Sequence, residues 1–234
     1  IGGSPANEEI HNMGMGVGRN DGRQRIYAAS LDWNIYEISF EAGSWTQTTM
    51  GTLDAPAMHA AIGDGRNDGV NRVYAVSTAG LYEFTWTGSS WTQIRLGNVP
   101  GGHGIVVGRG RNGDPNVRLY IASLTGTATG TYEAEFTGSS WVITHMEGLI
   151  EDSYDVEMGV GRNDGVMRVY SSLSRSSGTL REFTWNGTSW VATLVEPSLV
   201  GARMIHTYIL PGRNDGVNRI YTSSNNGNFY EYTW

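Results

Sequence analysis

The sequence predicts an all-β protein built from repeats, and three observations lead to that prediction. A pattern of Gly-Arg-Asn-Asp-Gly, a short gap, Arg, a branched aliphatic residue and Tyr begins at Gly18, Gly65, Gly110, Gly161 and Gly212, with the third copy one residue longer. The copies recur about every 45 to 51 residues, and helical periodicity is absent. Four short antiparallel strands per unit of this length are typical of a β-propeller blade. The sequence therefore predicts a five-bladed β-propeller with four-stranded antiparallel blades.

Each unit contains the four strands in the same order. An apolar, Gly-rich run precedes the Asn-Asp-Gly turn, which is a strong hairpin signal because its residues tolerate positive φ. The second strand follows, as in RVYAVS, then a variable loop and a third strand such as LYEFTW. A Gly-containing turn leads to the fourth strand, as in SWTQIRL. One domain, 1–234, is predicted, and its units cover 10–50, 57–97, 102–147, 154–196 and 204–234.

The fifth unit stops at Trp234, where its third strand ends. The last blade is therefore predicted either to have three strands or to be closed by the N-terminus. The N-terminal run IGGSPANEE is a poor strand sequence because it lacks alternating apolar residues.

Composition excludes several classes of function. The 234 residues contain no Cys, which excludes disulfides and thiolate sites. All 16 basic residues are Arg, and the absence of Lys excludes Schiff-base catalysis. The net charge of -7 argues against a nucleic-acid partner. No apolar run reaches the length of a membrane span. The chain begins at Ile1 without a signal peptide, so a mature or trimmed product is expected.

An arginine, a glutamate and aromatic residues recur in every unit at corresponding positions. The glutamate always stands three residues before an aromatic residue, and the arginine precedes it on the neighbouring strand. The sets are Arg25, Glu37, Phe40, Trp45; Arg72, Glu83, Trp86, Trp91; Arg118, Glu133, Phe136, Trp141; Arg168, Glu182, Trp185, Trp190; and Arg219, Glu231, Trp234. One interpretation is a salt bridge repeated as framework, with the aromatics packing one blade on the next. The other is carbohydrate recognition, which needs a planar donor, a carboxylate and an aromatic face.

The segment RVYAVSTAGLYEFTWTGSSWTQ resembles the repeat of the fucose-binding β-propeller lectins of the Aleuria and Ralstonia type. The resemblance covers the second half of each unit. It implies that Arg72 and Glu83 hold sugar hydroxyls and that Trp86 and Trp91 serve a neighbouring site. By the same resemblance, the corresponding arginines and glutamates of the other units would be sugar ligands. An extracellular or periplasmic location is the matching expectation.

Four of the five histidines stand at the start of first strands, and an aspartate takes that place in the fourth unit. The five residues are His11, His59, His103, Asp155 and His206. First strands line the central channel of a propeller, so these side chains could form a divalent-metal site. The alternative is that each histidine bonds a local backbone group.

These patterns favour a non-catalytic, carbohydrate-binding module with repeated sites between blades and no cofactor. A structural or protein-interaction propeller is the first alternative, and a metal-binding or enzymatic channel is the second. The expected partners are glycans or a protein.

Overall fold

The computed structural model describes residues 9–126, 129–146, 152–174, 179–195 and 203–234. Their strands form five antiparallel sheets in chain order, which confirms the predicted five-bladed β-propeller. Blade 1 contains β1 (Ile10–Gly16), β2 (Arg25–Ser30), β3 (Asn34–Glu41) and β4 (Ser44–Thr52). Blade 2 contains β5 (Ala57–Gly63), β6 (Arg72–Ser77), β7 (Leu81–Trp86) and β8 (Trp91–Gly97).

The remaining three blades follow the same order. Blade 3 contains β9 (Gly102–Gly108), β10 (Arg118–Ser123), β11 (Gly130–Phe136) and β12 (Trp141–His145). Blade 4 contains β13 (Ser153–Gly159), β14 (Arg168–Leu173), β15 (Leu180–Trp185) and β16 (Trp190–Val195). Blade 5 contains β17 (Met204–Leu210), β18 (Arg219–Ser224) and β19 (Phe229–Tyr232).

Blade 5 has three strands in the described part of the chain, which is one of the two alternatives that the sequence leaves open. The predicted alternative, closure by the N-terminal residues, falls on 1–8, which lie outside the described residues. The strand β19 is therefore the outer edge of its sheet among the described strands.

The hydrophobic core is divided among the joints between consecutive blades. Four clusters of buried side chains join blades 1 and 2, 2 and 3, 3 and 4, and 4 and 5. At each joint, a glycine near the end of one first strand faces a larger side chain of the next. Gly16 faces Ile62 and Gly63 faces Val107 in this way, while Gly108 faces Met158 and Gly159 faces Ile209. The missing Cβ lets neighbouring first strands approach closely around the axis.

Each first strand contains a β-bulge or register irregularity near the residue predicted to face the channel. The pairing shifts between Ile10 and Asn12 in blade 1, and between Ser153 and Asp155 in blade 4. The other three blades have comparable shifts. The spacing between the predicted residue and the arginine of the Gly-Arg-Asn-Asp-Gly pattern differs by one residue between units. A bulge redirects a side chain without ending the strand, so the predicted residues still reach the axis in spite of this difference.

Candidate functional site

The Gly-Arg-Asn-Asp-Gly segment is a tight turn between the first and second strands of each blade. In blade 2, Asn67 and Gly69 have φ angles of +58° and +80°, in the left-handed region. The Oδ1 atom of Asp68 accepts a hydrogen bond from the backbone N–H of Val70 at 3.1 Å. The turn thus has the geometry that its residue types predict, with the aspartate satisfying a backbone donor.

The turn brings two arginines against two different carboxylates. Arg66, inside the turn, donates from Nε and Nη2 to Glu83 at 2.9 and 2.7 Å. Arg72, at the start of β6, donates from Nη1 and Nη2 to Asp68 at 2.9 and 2.8 Å. Its Nε atom lies 3.6 Å from Glu83. The residue opposite Glu83 on β6 is Tyr74, not Arg72. The predicted Arg72–Glu83 pair is therefore a longer contact than the hydrogen bonds between Arg66 and Glu83.

The same two pairings recur in all five blades. We call the arginine of the turn the turn arginine and the arginine that opens the second strand the strand arginine. The turn arginines pair as Arg19–Glu37, Arg66–Glu83, Arg111–Glu133, Arg162–Glu182 and Arg213–Glu231. The strand arginines pair as Arg25–Asp21, Arg72–Asp68, Arg118–Asp114, Arg168–Asp164 and Arg219–Asp215.

Burial separates the two sets of arginines. The strand arginines, which the sequence singled out, are all buried, as are the glutamates of blades 1 to 4. The turn arginines retain an exposed portion. Hydrogen bonding to Asp68 raises the pKa of Arg72, and the same bonds lower the pKa of Asp68 to about 2. The more solvent-accessible cation of each site is therefore the turn arginine, which is not among the sugar ligands that the sequence predicts.

The turn arginines of blades 1 to 4 also reach the next blade. The Cζ atom of Arg19 lies 3.9 Å from the ring centroid of Trp86, and that of Arg111 lies 4.0 Å from Trp185. Arg66 and Arg162 stand over Phe136 and Trp234 at 4.8 and 5.0 Å, respectively. A guanidinium over an aromatic face is attracted by the ring quadrupole. One side chain thus joins a carboxylate of its own blade to an aromatic ring of the following blade.

The fourth-strand tryptophans complete the aromatic wall. Trp91 makes edge contacts with Trp86 and with Tyr27 of blade 1, at centroid distances of 5.4 and 5.9 Å. Trp141 and Trp190 contact Tyr74 and Tyr120 in the same manner. Trp86 and Trp91 thus contact Arg19 and Tyr27 of the preceding blade, and their assignment to a sugar site stays a prediction.

The arginine, the aromatics and nearby hydroxyls line an inter-blade groove. The groove between blades 1 and 2 has a volume of about 450 Å³ and is lined by Arg19, Thr48, Thr49, Met50, Trp86, Ser89, Ser90 and Trp91. A groove of about 380 Å³ lies between blades 4 and 5, and its lining includes Arg162, Glu231, Thr233 and Trp234. Aromatic faces beside a few polar groups are the usual composition of small-ligand sites.

The asparagine of the turn bonds the backbone of the next blade at three of the joints. The side-chain amide of Asn67 donates to the carbonyl of Val117 at 3.0 Å and accepts from the N–H of the same residue at 2.6 Å. Asn20 makes the matching pair of bonds with Asn71, and Asn163 with Asn218. These side chains act as short bridges between blades, and sequence reasoning did not identify that role.

The histidines and Asp155 gather around the axis, as the sequence predicts. The rings of His11 and His103 lie 4.9 Å apart between centroids, and Nδ1 of His206 is 3.6 Å from Oδ2 of Asp155. His11 and His103 each bond a backbone carbonyl at 2.9 Å, and His59 Nδ1 bonds the N–H of Ile105 at 3.2 Å. Among the described residues, no group of three or more His, Asp or Glu is arranged to hold a metal ion. The metal assignment stays a prediction.

An axial cavity of about 350 Å³ lies beside these residues, lined by residues of all five first strands. Burial lowers the pKa of His59 and His103 to about 4, whereas bonding to Asp155 raises the pKa of His206. Burial also raises the pKa of Glu157, which lines the cavity, to about 7. Titratable groups around the axis therefore change charge over different ranges of pH.

Comparison with known proteins supports the fold. No family model and no curated protein sequence matches the chain. The structure is similar to that of a lectin from Aleuria aurantia in complex with Fucalpha1-6GlcNAc, with 20% identity, a TM-score of 0.57 and coverage of 94% of this chain and 74% of the lectin. It is also similar to AofleA from Arthrobotrys oligospora, with 15% identity, a TM-score of 0.57 and coverage of 96% and 70%.

A protein of a nidogen/laminin complex matches equally well, with 12% identity, a TM-score of 0.59 and coverage of 92% of this chain and 71% of that chain. The structural similarity establishes the propeller architecture and its likeness to the β-propeller lectins. Because the sequence identities are low, it establishes the fold alone. The described residues contain no helix long and apolar enough to cross a lipid bilayer.

Proposed function

We propose that this protein is a non-catalytic binding module that takes carbohydrate in the grooves between adjacent blades. The observation that carries the proposal is the groove between blades 1 and 2, where two indoles, a partly exposed guanidinium and four hydroxyls line one space. Sugars present an apolar C–H face and a set of hydroxyls, which match an aromatic wall with polar groups beside it. The likeness to lectin structures supports the same proposal at the level of the fold.

The turn arginine is the proposed polar contact. Arg19 uses Nε and Nη2 to bind Glu37, and no hydrogen-bond partner is described for its Nη1 among the residues that the structure describes. A sugar hydroxyl can accept from Nη1 while Ser89, Ser90, Thr48 or Thr49 bonds its neighbours. Glu37 then holds the guanidinium in place and does not contact the sugar. Each single site is expected to be weak, and repetition around the ring supplies avidity.

The test uses a glycan array followed by calorimetry, with α-methyl-L-fucoside as the first probe because a solved lectin structure of this architecture contains it. A Ser89→Trp variant fills the groove between blades 1 and 2 and leaves both residues of the Arg19–Glu37 pair unsubstituted. Its binding stoichiometry should fall by one site. A Leu31→Trp variant, on an exposed loop between β2 and β3 away from the turns, is the control and should bind as the wild type does. Unchanged stoichiometry in Ser89→Trp, or binding of no glycan, would overturn the proposal.

A structural or protein-interaction propeller is the second candidate, and the saturated ion pairs favour it. Glu83 is about 1% exposed and accepts bonds from Arg66, while Arg72 stands beside it. Such a network specifies strand register without any ligand. Under this candidate, no glycan binds, and Glu83→Ala lowers stability strongly because two guanidinium groups lose a buried partner.

A further inference from the structure

The axial cavity lies at a level where several first strands carry small residues. In each blade, one residue of the first strand pairs with the tyrosine of the second strand, so these five residues lie at one level of the axis. They are Gly14, Ala61, Val106, Glu157 and Tyr208. All five line the cavity of about 350 Å³. The glycine and the alanine leave room beside the glutamate.

Glu157 is the carboxylic acid of this level. Its Oε1 atom accepts a hydrogen bond from the N–H of Met158 at 2.9 Å, and no partner is described for its Oε2 within the part of the chain that the structure describes. Of the described residues that line the cavity, none is an arginine. Burial raises the pKa of Glu157 to about 7, because the carboxylate loses water and gains no cation in exchange.

Asp155, two residues earlier on β13, differs from Glu157 in having partners. Its Oδ2 atom accepts a hydrogen bond from the N–H of Thr207 at 3.1 Å and lies 3.6 Å from Nδ1 of His206. Contact with Asp155 raises the pKa of His206, so the two side chains form an ion pair when the histidine is protonated. Glu157 is therefore the carboxylate of the cavity whose charge has no described counterpart.

The other titratable groups around the axis do not supply that counterpart near neutral pH. Burial lowers the pKa of His59 and His103 to about 4, so both rings are uncharged there. Nδ1 of His11 bonds a backbone carbonyl. Burial raises the pKa of Tyr154 and Tyr208, so neither phenol ionises. The surroundings of Glu157 thus favour a ligand that brings a positive charge.

Apolar side chains form another part of the cavity wall. Met13, Met15 and Tyr208 line it and are 54, 72 and 53% exposed, respectively. Ile62 and Val107 line it as well and are partly exposed. Apolar surface in a concave space favours a hydrocarbon group, and methionine side chains adapt to its shape. A bare metal ion would leave this surface uncovered, and the described residues include no group of three or more His, Asp or Glu arranged to hold one.

We propose that the axial cavity binds a small organic ammonium compound. The ammonium group donates to Oε2 of Glu157, and the hydrocarbon part packs against Met13, Met15 and Tyr208. The ring of Tyr208 adds the attraction of an aromatic face for a cation. The cavity lies at the lower end of the volume range of small-ligand sites, so the ligand has about ten non-hydrogen atoms. The cavity shares no lining residue with the two inter-blade grooves, and the proposal does not depend on carbohydrate binding.

The test is a titration of the full chain with benzylammonium chloride, followed by NMR of ¹³C-methyl-labelled methionine. The signals of Met13 and Met15, assigned by substitution with leucine, should shift saturably. Those of Met50 and Met146, which are buried in the joints between blades, should not. At pH 8 the Kd should be on the order of 1 mM, as for a fragment of this size. Benzyl alcohol, which has the same shape without the charge, should bind about tenfold more weakly.

Glu157→Gln keeps the shape of the side chain and removes its charge. The Kd for benzylammonium should rise about tenfold at pH 8. The ratio of the two Kd values should approach one at about pH 5.5, because wild-type Glu157 is then mostly neutral. Protonation of His206 affects both proteins alike and cancels in the ratio. Glu41→Gln, the same change at a side chain that is 45% exposed at the end of β3, is the control and should bind as the wild type does.

Three results would overturn the proposal. The first is the absence of a saturable shift at Met13 and Met15 in the full chain. The second is equal binding of benzyl alcohol and benzylammonium, which would show that the cavity does not select charge. The third is a folded Glu157→Gln protein with the wild-type Kd at pH 8. If that variant does not fold, the comparison with benzyl alcohol still decides.

Discussion

Two glycines of the same turn are required for different physical reasons. A Cβ atom at Gly65 would come within 2.7 Å of the phenol oxygen of Tyr74, which is buried beneath the turn. Gly18 and Gly161 have the same relation to Tyr27 and Tyr170. Gly69, by contrast, has open space around it and a φ of +80°, so its requirement is conformational. The first glycine of the repeated pattern is thus part of the packing around the tyrosine.

This distinction predicts a coupled pair of substitutions. Gly65→Ala should lower the free energy of unfolding by about 1–3 kcal/mol, because the added methyl group overpacks the space above Tyr74. In a Tyr74→Phe background the cost should fall in part, since the oxygen at 2.7 Å is gone while the ring carbon Cζ stays 2.8 Å from the new methyl group. Urea unfolding of the four variants measures this coupling. An equal cost in both backgrounds would show that the methyl group does not meet the phenol oxygen.

At the scale of the element, the turn is stabilised by the bidentate pair between its aspartate and the strand arginine. The pKa of Asp68 is lowered from its ordinary value of 3.8 to about 2, chiefly by the hydrogen bonds from Arg72. A carboxyl group whose pKa is lower in the folded state stabilises the fold above its unfolded pKa, and that contribution is lost as pH falls through the folded pKa. The stabilisation by this pair is therefore present above about pH 4 and lost towards pH 2.

Asp68→Asn should lower the free energy of unfolding at pH 7 by about 1–2 kcal/mol, a value reduced from that of a fully buried pair because Asp68 is partly exposed. The difference from the wild type should shrink between pH 4 and pH 2, where the wild-type carboxylate also loses its charge. Urea titrations at several pH values measure both quantities. A difference that stays constant over this range would rule out the ion pair as its source.

At the scale of the whole molecule, the repeat predicts the number of blades and their strand order, and it leaves open whether blade 5 has three strands or is closed by the N-terminus. It does not predict which arginine binds which carboxylate. Arg66 and Arg72 both precede Glu83 by a distance that allows contact, and only the folded turn, with its left-handed Asn67, shows that Arg66 binds Glu83 while Arg72 binds Asp68. The bulges are likewise invisible in the residue pattern, although they bring the histidines to one end of the axis.

The titratable groups around the axial cavity, which residues of all five first strands line, make the free energy of unfolding depend on pH. Burial raises the pKa of Glu157 from 4.5 to about 7, so the folded state binds more protons than the unfolded state between these values. Its contribution to the free energy of unfolding therefore falls as pH rises from 4.5 to 7. His59 and His103 act in the opposite direction, because their pKa values are lowered to about 4 and their contribution rises between pH 4 and 6.5.

Glu157→Gln should match the wild type near pH 4 and exceed its stability at pH 8 by about 1–3 kcal/mol, as measured by urea unfolding across this range. Parallel profiles for the two proteins would mean that Glu157 is not held in its neutral form, and the cavity would then be open to water at that side chain.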